Sequence, residues 1–334
     1  MSEEITSIGV VGGGAWGTAL ATVAARAGHE VRIWAREDEV VSAINESREN
    51  DVFLPGVTLP DTIHAVRDLS EMRGMHAILL VAPAQATDAV SSALSPHVEE
   101  GTPVLICAKG IEQKTGRFMS DILSETIPQA ACIVLSGPSF AADVARGLPT
   151  AVTLAASSQE GATPVASALA IPTFRPYISN DVRGAQVGGA VKNVLAIACG
   201  IVDGKGFGES ARAALTARAF VELQRFGKAL GAKTESLAGL SGLGDLILTC
   251  SSQQSRNMSL GFALGQGASM QDILAERNSV SEGVYTASIL AKLAQEKNID
   301  MPISGAVNAI VSGTHSVDES IENLLNRPLR AEHL

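Results

Sequence analysis

The sequence predicts an α/β protein with a doubly wound, parallel sheet in its first half and an all-helical second half. Up to about residue 180, short β-branched runs alternate with longer helical stretches. A glycine-rich turn joins the first predicted strand to the first predicted helix. After Asn180 the strand-like runs disappear and apolar residues recur at helical spacing.

The strands of the first half are predicted from apolar or β-branched runs bounded by turn residues. They are Thr6–Gly12, Glu30–Ala35, Ala77–Ala82, Pro103–Ala108, Ala131–Leu135, Thr150–Leu154 and Phe174–Ile178. Several are apolar throughout, as is typical of strands buried on both faces of a parallel sheet. We expect right-handed crossovers between them, with the last strand at one edge.

The helices are predicted from the spacing of apolar residues and from their caps. The first runs from Ala15 to Gly28, where glycine provides a C-cap. In the second half, helical spacing is found at Arg212–Leu230, Met270–Glu276, Val284–Gln295 and Ser304–Ser312. The sequence pattern changes from alternating strands and helices to helices alone near residues 180–183. We therefore divide the chain into a domain of residues 1–181 and a helical domain of residues 182–334.

Composition and charge exclude several classes of function. Hydrophobic residues make up 46% and charged residues 18% of the 334 residues, which is typical of a globular protein. The net charge of −10 argues against general nucleic-acid binding, which needs a basic face. An acidic N-terminus and the lack of ~18 uninterrupted apolar residues predict neither a signal peptide nor a membrane span, hence a cytoplasmic protein.

The cysteines predict neither a metal site nor a redox pair. Cys107, Cys132, Cys199 and Cys250 all lie in apolar segments, and no two have metal-ligand or redox-pair spacing. We therefore expect buried free thiols and no bound metal.

The glycine-rich turn predicts a dinucleotide site. Gly12, Gly14 and Gly17 form a G-x-G-x-x-G pattern between a strand and a helix, which is the required context. The first glycine permits a tight turn, the second lets the backbone approach a pyrophosphate, and the third lets helix and strand pack closely. The helix N-terminus would then face the phosphates.

The residues after the second strand favour NADP over NAD. An acid at this place binds the ribose hydroxyls of NAD, whereas a nearby arginine accommodates the 2′-phosphate of NADP. Here Arg36 follows the small residue Ala35 and favours NADP. Glu37 could instead serve the ribose, so NAD remains possible.

Two other strands end in residues suited to an anionic ligand. Ligands of open α/β sheets bind beyond the carboxyl ends of strands. Lys109 follows one strand, and the loop Ser136–Ser139 follows the next. A surface lysine after a strand is the alternative interpretation of Lys109.

A single charge interrupts the most apolar stretch of the second half, GGAVKNVLAIACG, residues 188–200. A buried ammonium group such as that of Lys192 is costly unless it is compensated. On a helix, Lys192 shares a face with Gly188, Gly189 and Ala196. We expect this small face to admit a ligand, the alternative being a lysine that snorkels to solvent at a helix start.

Two later features lie at predicted helix starts, where an ordinary helix cap is the alternative to a functional role. Asp245 follows a glycine-rich turn and opens LILTC, a position that a helix cap alone would explain. Ser255, Arg256 and Asn257 precede another helical pattern, and arginine with small polar residues can clamp a phosphate or carboxylate.

Together these motifs resemble bacterial NAD(P)-dependent glycerol-3-phosphate dehydrogenase. The order GGGAWG, CAKGIE, SGPSFA, GGAVKNVLAIACGI, GLGDLILTC and SRN covers essentially the whole chain. GGGAWG alone is shared with many oxidoreductases, but the ordered set is far more specific. The resemblance implies a Rossmann domain followed by a helical domain of the 6-phosphogluconate dehydrogenase C-terminal type. It also implies reduction of dihydroxyacetone phosphate to sn-glycerol 3-phosphate for phospholipid synthesis.

The resemblance also implies the site residues. Lys192 would transfer the proton, with Lys109 and Asp245 as further catalytic residues. Besides the three glycines, the cofactor would contact Ala15, Trp16, Arg36, Lys109, Ala141, Arg256, Val280 and Glu282. The substrate would contact Lys109, Gly137, Ser139, Lys192, Asp245, Ser255, Arg256 and Asn257. NADPH is the preferred cofactor on this interpretation, and NADH remains possible.

The implied chemistry requires a positive patch and a tuned lysine. Lys109, Lys192 and Arg256 would offset the charge of a phosphorylated ketone in an acidic protein. A lysine that transfers a proton in both directions works best with a pKa near neutral. Burial and the nearby Lys109 would lower the pKa of Lys192, whereas Asp245 would raise it, and the sequence leaves open which effect wins.

Two other functions remain open at this point. One is a related two-domain dehydrogenase of 3-hydroxy acids, against which the SRN turn and GDLILTC argue. The other is a non-catalytic NADP-binding sensor, against which the presence of both lysines argues. We also expect a homodimer formed through the apolar helices of the second half, no nucleic-acid partner and no stable membrane insertion.

Overall fold

The protein, described here from a computed structural model over residues 4–275, 281–329 and 331–332, contains one mostly parallel sheet. Within these residues eight strands lie in the order β3-β2-β1-β4-β5-β6-β7-β8. They are β1 (Ser7–Val11), β2 (Glu30–Trp34), β3 (Ile63–Val66), β4 (Ala77–Leu80), β5 (Pro103–Ile106), β6 (Ala131–Ser136), β7 (Thr150–Ala156) and β8 (Phe174–Ser179). The strand order reverses between β1 and β4, and a ligand crevice forms at the carboxyl ends beside such a reversal.

Every predicted strand is present, with ends that differ by a residue or two, and β8 lies at the predicted edge. The sequence analysis missed β3. This strand has only four residues, and its buried and exposed positions alternate, so it lacks the apolar run that identified the others.

The prediction of an entirely parallel sheet is wrong at one place. β6 and β7 pair in an antiparallel manner, with Ser136 opposite Thr153. A parallel pair needs a crossover that carries the chain back along the sheet. The helix between these strands, Ala141–Ala145, has only five residues, so the chain reverses at the same edge of the sheet.

Helices flank the sheet and are the regular elements of the second half, as far as the structure describes it. They are α1 (Ala15–Arg26), α2 (Asp38–Ser42), α3 (Thr87–Leu94), α4 (Met119–Thr126), α5 (Ala141–Ala145), α6 (Gln159–Leu169), α7 (Val182–Gly204), α8 (Gly208–Ala229), α9 (Thr234–Leu237), α10 (Asp245–Cys250), α11 (Arg256–Gly265), α12 (Met270–Ala275), α13 (Glu282–Glu296), α14 (Pro302–Val311) and α15 (Val317–Leu325). The predicted helical segments of the second half are confirmed, except that Glu276 lies outside the described residues.

Apolar clusters cover both faces of the sheet, as a doubly wound fold requires. Val10 of β1 packs in the cluster that contains Leu20 of α1. Its neighbour Val11 points the other way and packs in the cluster that contains Leu94 of α3 and Ile122 of α4. A third cluster forms the core of the helical half.

Three of the four cysteines are buried, as the sequence analysis predicts. Cys107, Cys199 and Cys250 are buried free thiols, as expected. Cys132 is only partly buried, because it lies near the more exposed start of β6.

Helix α7 is the central element of the second half. Asp181 begins it by accepting a hydrogen bond from the Gly184 amide at 2.8 Å. The helix is long and apolar enough to cross a membrane, but 94% of its most apolar window is buried inside the protein. It packs against α8, α10, α11 and α13, so its apolar sequence is that of a core helix.

Glycines allow α7 and α11 to approach backbone to backbone. Gly200 and Gly204 of α7 lie against α11, and Gly261 and Gly265 of α11 lie against α7. A Cβ added at Gly200 or at Gly261 would stand 2.0 Å from a carbonyl oxygen of the other helix. The spacing of the two helices therefore depends on the absence of side chains at these positions.

We predict opposite effects for alanine at two helical glycines. Gly261→Ala should lower the free energy of unfolding by about 1–3 kcal/mol, because its Cβ forces α7 and α11 apart. Gly305→Ala is the control: Gly305 is exposed in α14 with open space around it, so alanine should stabilise by about 0.5–1 kcal/mol. Thermal and urea unfolding of both variants measure this, and equal effects would contradict the packing argument.

Candidate active site

The loop between β1 and α1 has the geometry of a dinucleotide-binding turn. Gly12 adopts a φ of +131°, which glycine tolerates and other residues rarely adopt. A Cβ at Gly17 would lie 1.8 Å from the Gly12 carbonyl oxygen, whereas a Cβ at Gly14 would meet nothing within 4 Å. The close contact at Gly17 lets the helix pack against the turn, and the open space at Gly14 lets a pyrophosphate approach the α1 N-terminus.

Two of the predicted cofactor residues begin α1. Ala15 and Trp16 are its first two residues and directly follow the open position. The indole Nε1 of Trp16 is buried and makes no hydrogen bond with any described residue. Trp16 is partly buried and packs against the first apolar cluster.

The end of β2 lies beside the same loop. The Gly12 amide donates a hydrogen bond to the Trp34 carbonyl at 3.0 Å. Just beyond it, Arg36 is 84% exposed and pairs with Glu37, its Nη2 lying 2.7 Å from Glu37 Oε1. Arg36, which favours NADP, and Glu37, which could serve the ribose of NAD, thus lie near the loop and form an ion pair with each other.

Lys109, Lys192 and Asp245 meet although they come from three separate elements. The Lys109 Nζ donates to Asp245 Oδ2 and to the Gly137 carbonyl, each at 2.8 Å. The Lys192 Nζ donates to Asp245 Oδ1 at 2.6 Å and to Thr249 Oγ1 at 2.7 Å. Asp245 has no exposed surface. One buried carboxylate therefore bridges two lysines, one beyond β5 and one on α7.

Asp245 does not serve as a simple helix cap. It is the first residue of α10, and a single π-helical turn, Leu240–Gly244, precedes it. Its Oδ1 accepts hydrogen bonds from Lys192 and from the Thr249 hydroxyl, and its Oδ2 accepts one from Lys109.

Burial shifts the pKa of Lys192 more strongly than the neighbouring Asp245 carboxylate does. The side chain is almost fully enclosed, and this desolvation lowers its pKa to about 8. Asp245 raises the pKa and the positive charge of Lys109 lowers it. Lys192 is thus able to hold or release a proton near neutral pH.

Protein, not open space, covers the small face of α7. A Cβ at Gly188 would lie 2.2 Å from the Ser241 carbonyl oxygen. A Cβ at Gly189 would lie 3.0 Å from Ser136 Oγ and 3.2 Å from Lys109 Cγ. These two glycines therefore border protein and not open space, and they let the turn before Asp245 and the Lys109 loop close onto the helix. The expected approach of a ligand to the Lys192 ammonium stays a prediction.

The loop after β6 supports Lys109. Gly137 has a φ of +144°, and a Cβ there would lie 3.0 Å from Val152 Cα. Its carbonyl accepts hydrogen bonds from Lys109 and from Ser139 Oγ, the latter at 3.1 Å. Ala141 begins α5 directly after this loop.

The predicted anion turn is held by its own side chains. Ser255 Oγ accepts a hydrogen bond from the Met258 amide at 3.2 Å and so caps α11. Asn257 Oδ1 accepts from the Gly283 amide at 3.0 Å. Arg256 lies between these two anchored residues, and its positive charge partly opposes the rise that burial causes in the pKa of Glu282.

A chain of amide side chains links this turn to Lys109. Asn257 Nδ2 donates to Asn193 Oδ1 at 3.0 Å, and Asn193 Nδ2 donates to the Lys109 carbonyl at 3.1 Å. At the other end, Glu282 Oε1 accepts from the Ala84 amide, beyond β4, at 3.2 Å. Burial raises the pKa of Glu282, with Ala84 and Arg256 opposing the shift. Val280, predicted to contact the cofactor, lies outside the described residues.

Sequence reasoning missed three supporting residues. Thr249 lies one helical turn after Asp245 and contacts Lys192, a spacing of four residues that could have identified it. Asn193 adjoins Lys192, but no role was assigned to it. Asn50 is buried and donates to the Gly13 carbonyl at 2.8 Å, and nothing in the surrounding sequence indicates this contact.

The arrangement combines a loop of dinucleotide-binding geometry after β1 with two lysines, Lys109 beyond β5 and Lys192 on α7, that share one buried carboxylate. Lysines and arginine also supply positive charge from both halves of the chain. Such a site suits transfer of a hydride and a proton to the carbonyl group of an anionic substrate.

Comparison with known proteins gives the same family over both halves of the chain. Residues 7–162 match the NAD-dependent glycerol-3-phosphate dehydrogenase N-terminus, and residues 181–322 match the C-terminus of that family.

Individual relatives are similar along nearly their whole length. Glycerol-3-phosphate dehydrogenase (NAD(P)+) of Parvibaculum lavamentivorans is 58% identical over 99% of this chain and 100% of its own. The enzyme of Rhodospirillum rubrum is 54% identical over 99% of this chain and 95% of its own. The crystal structure of the Coxiella burnetii glycerol-3-phosphate dehydrogenase superimposes with a TM-score of 0.92 at 37% identity, covering 96% of this chain and 99% of that one.

Proposed function

The chain belongs to the NAD-dependent glycerol-3-phosphate dehydrogenase family, and we propose that Lys109, Lys192 and Asp245 form its catalytic centre. As a member, it is an NAD(P)-dependent oxidoreductase that converts dihydroxyacetone phosphate to sn-glycerol 3-phosphate. The observation that carries the proposal is the buried Lys192, with a pKa of about 8, held by a fully buried carboxylate.

This membership decides among the functions that the sequence left open. Relatives of 52–58% identity over nearly the full chain are named as this enzyme. The chain is therefore neither a hydroxy-acid dehydrogenase nor a silent sensor.

The residues of the first half fit an NAD(P) molecule. Gly14 borders open space where a pyrophosphate has to approach, and Gly12 and Gly17 hold the turn around it. In our proposal these glycines bind the pyrophosphate together with Ala15 and Trp16, and Arg36 favours NADPH over NADH. Lys109, Ala141, Arg256, Val280 and Glu282 complete the cofactor contacts. When bound, the reduced nicotinamide supplies the hydride.

Lys192 acts as the general acid of the reduction. The carbonyl oxygen of the substrate gains negative charge and must take up a proton. An ammonium group has three N–H donors, and Asp245 and Thr249 accept two of those of Lys192. The third donates to the substrate oxygen, and in the reverse direction the neutral amine accepts that proton.

Asp245 and Lys109 position and tune this acid. Asp245 fixes both lysines through its two oxygens. Lys109 adds positive charge beside the developing oxyanion and lowers the pKa of Lys192. With Gly137 and Ser139 next to it, Lys109 also lines the substrate site.

The turn Ser255–Asn257 binds the substrate phosphate in this proposal. Ser255 accepts from the Met258 amide and Asn257 accepts from the Gly283 amide of α13. Both neighbours of Arg256 are thus anchored, and Arg256 carries the positive charge of the turn. An arginine suits a phosphate because its planar fork can donate two hydrogen bonds.

Further parts of the proposal concern the whole protein. We infer a cofactor-binding domain of residues 1–181 and a substrate domain of residues 182–334, joined just before α7. We also propose a cytoplasmic homodimer, without nucleic-acid partners or stable membrane insertion, whose product supplies glycerophospholipid synthesis.

Lys192→Ala should remove most turnover while leaving NADPH binding intact. Loss of a general acid costs about 10²–10⁴-fold in rate, so we expect kcat to fall at least 100-fold. Steady-state kinetics with dihydroxyacetone phosphate measure kcat, and fluorescence titration measures NADPH binding. Lys205→Ala, at the end of the same helix and paired with the exposed Asp318, is the control and should retain turnover. Substantial residual activity in Lys192→Ala would refute the acid assignment.

The pH dependence should have opposite signs in the two directions. Reduction needs protonated Lys192, so kcat/KM should fall as the pH rises through about 8, the pKa of this group in the folded protein. Oxidation of sn-glycerol 3-phosphate needs the neutral amine and should rise through the same pH. Asp245→Asn should move both transitions to lower pH, because Asp245 raises this pKa. Transitions that remain in place in Asp245→Asn would show that another group titrates.

Arg256→Ala should raise KM for dihydroxyacetone phosphate strongly, by about tenfold or more, because a charge-assisted hydrogen-bond partner of the phosphate is lost. Both substrates are tested at saturating NADPH, so that the proposed cofactor contact of Arg256 does not limit either reaction. Unphosphorylated dihydroxyacetone is the matched substrate, and its kcat/KM should change little. A similar loss with both substrates would place Arg256 elsewhere than at the phosphate.

A further inference from the structure

An ion pair just beyond β2 joins Arg36 and Glu37, the two residues whose charges bear on binding of NADP or NAD. Arg36 Nη2 and Nε donate to Glu37 Oε1 at 2.7 Å and 3.1 Å. Both donors use the same carboxylate oxygen, so this pair does not engage Oε2. The pair is fixed beside the dinucleotide loop, because Gly12 donates to Trp34 and a Cβ at Gly13 would lie 2.5 Å from Ala35 Cβ.

We propose that Glu37 is a specificity-determining residue that competes with the 2′-phosphate of NADP(H) for Arg36 and serves the free ribose of NAD(H). The proposal goes beyond the catalytic assignment and rests on the glycine loop being the dinucleotide site.

The competition follows from the charges involved. A 2′-phosphate that binds Arg36 must displace the Glu37 carboxylate and then lie near that negative charge. An exposed ion pair is worth only about 0.2–1 kcal/mol, and Arg36 is 84% exposed, so the exchange is accessible. It nevertheless weakens NADPH binding relative to a neutral residue at position 37.

The same carboxylate helps the other cofactor. The ribose of NADH keeps its 2′-hydroxyl, which needs an acceptor, and acidic residues serve this purpose in dinucleotide-binding folds. Glu37 Oε2 can accept that hydroxyl while Oε1 remains paired with Arg36. The ion pair therefore accommodates both cofactors, with Arg36 selecting one and Glu37 the other.

The neighbouring pair provides a matched control. Asp38 Oδ1 lies 3.0 Å from Arg67 Nη1, and both side chains are mostly exposed. Asp38→Asn removes one negative charge at the adjacent position without touching the contact between Arg36 and Glu37. It separates a local competition from a general change in surface charge.

The experiment measures dissociation constants of NADPH and NADH by calorimetry on the substrate-free protein. Glu37→Gln should raise the ratio Kd(NADH)/Kd(NADPH) by about fivefold, the upper end of what an exposed pair contributes. NADPH should bind more tightly and NADH no more tightly. Arg36→Gln should lower the ratio, and Asp38→Asn should leave it within about twofold of wild type. Adenosine 2′,5′-bisphosphate and 5′-AMP should follow the same pattern as NADPH and NADH.

An unchanged ratio in Glu37→Gln, or an equal shift in Asp38→Asn, would overturn the proposal. Turnover of dihydroxyacetone phosphate is recorded for each variant as a separate readout. If the ratios shift as expected but Lys192→Ala keeps its activity, the catalytic proposal fails and the role of Glu37 stands. If no variant or wild-type protein binds either dinucleotide, both fail together.

Discussion

The structure depends on one buried carboxylate that two lysines share. Asp245 has no exposed surface, and its oxygens lie 2.8 Å and 2.6 Å from the ammonium groups of Lys109 and Lys192. Breaking one side of a buried ion pair typically costs about 3–5 kcal/mol, because a charge is left without a partner. Since Lys109 comes from the sheet and Lys192 from the helical half, this contact also fixes how the two halves of the site meet.

That contact is possible only because backbones approach closely around α7. Side chains at Gly188 and Gly189 would collide with the turn before Asp245 and with the Lys109 loop. Farther along, Gly200 and Gly204 admit α11, whose first turn carries Arg256. The glycines of one helix thus set the position of the carboxylate, the Lys109 loop and the anion turn. Their role is structural, yet the chemistry of Lys192 depends on it.

Amide side chains connect the two lysines and Asp245 to further parts of the chain through hydrogen bonds. Lys109, Asn193 and Asn257 are joined by hydrogen bonds, and Gly283 continues the chain to α13. Glu282 at the start of α13 then accepts a hydrogen bond from Ala84 beyond β4. Residues beyond β4 and β5 and residues of the turn Ser255–Asn257 therefore share one network, which suits a site that must align two ligands.

Much of this protein was determined by its sequence alone. The alternation of apolar strands and helices gave nearly the whole sheet, because buried parallel strands need continuous apolar runs. The strand β3 was missed because four alternating residues carry no such run. The strand β7 was predicted, but its antiparallel direction was missed, because the connection to β6 contains only the short α5. Motif order identified the family and the residues Lys109, Lys192 and Asp245. Only the tertiary structure decided that burial outweighs Asp245 in lowering the pKa of Lys192 to about 8, that Thr249 joins the cluster, and that Arg36 and Glu37 pair. Desolvation and side-chain pairing depend on what other segments place around a residue, and a linear pattern does not contain that information.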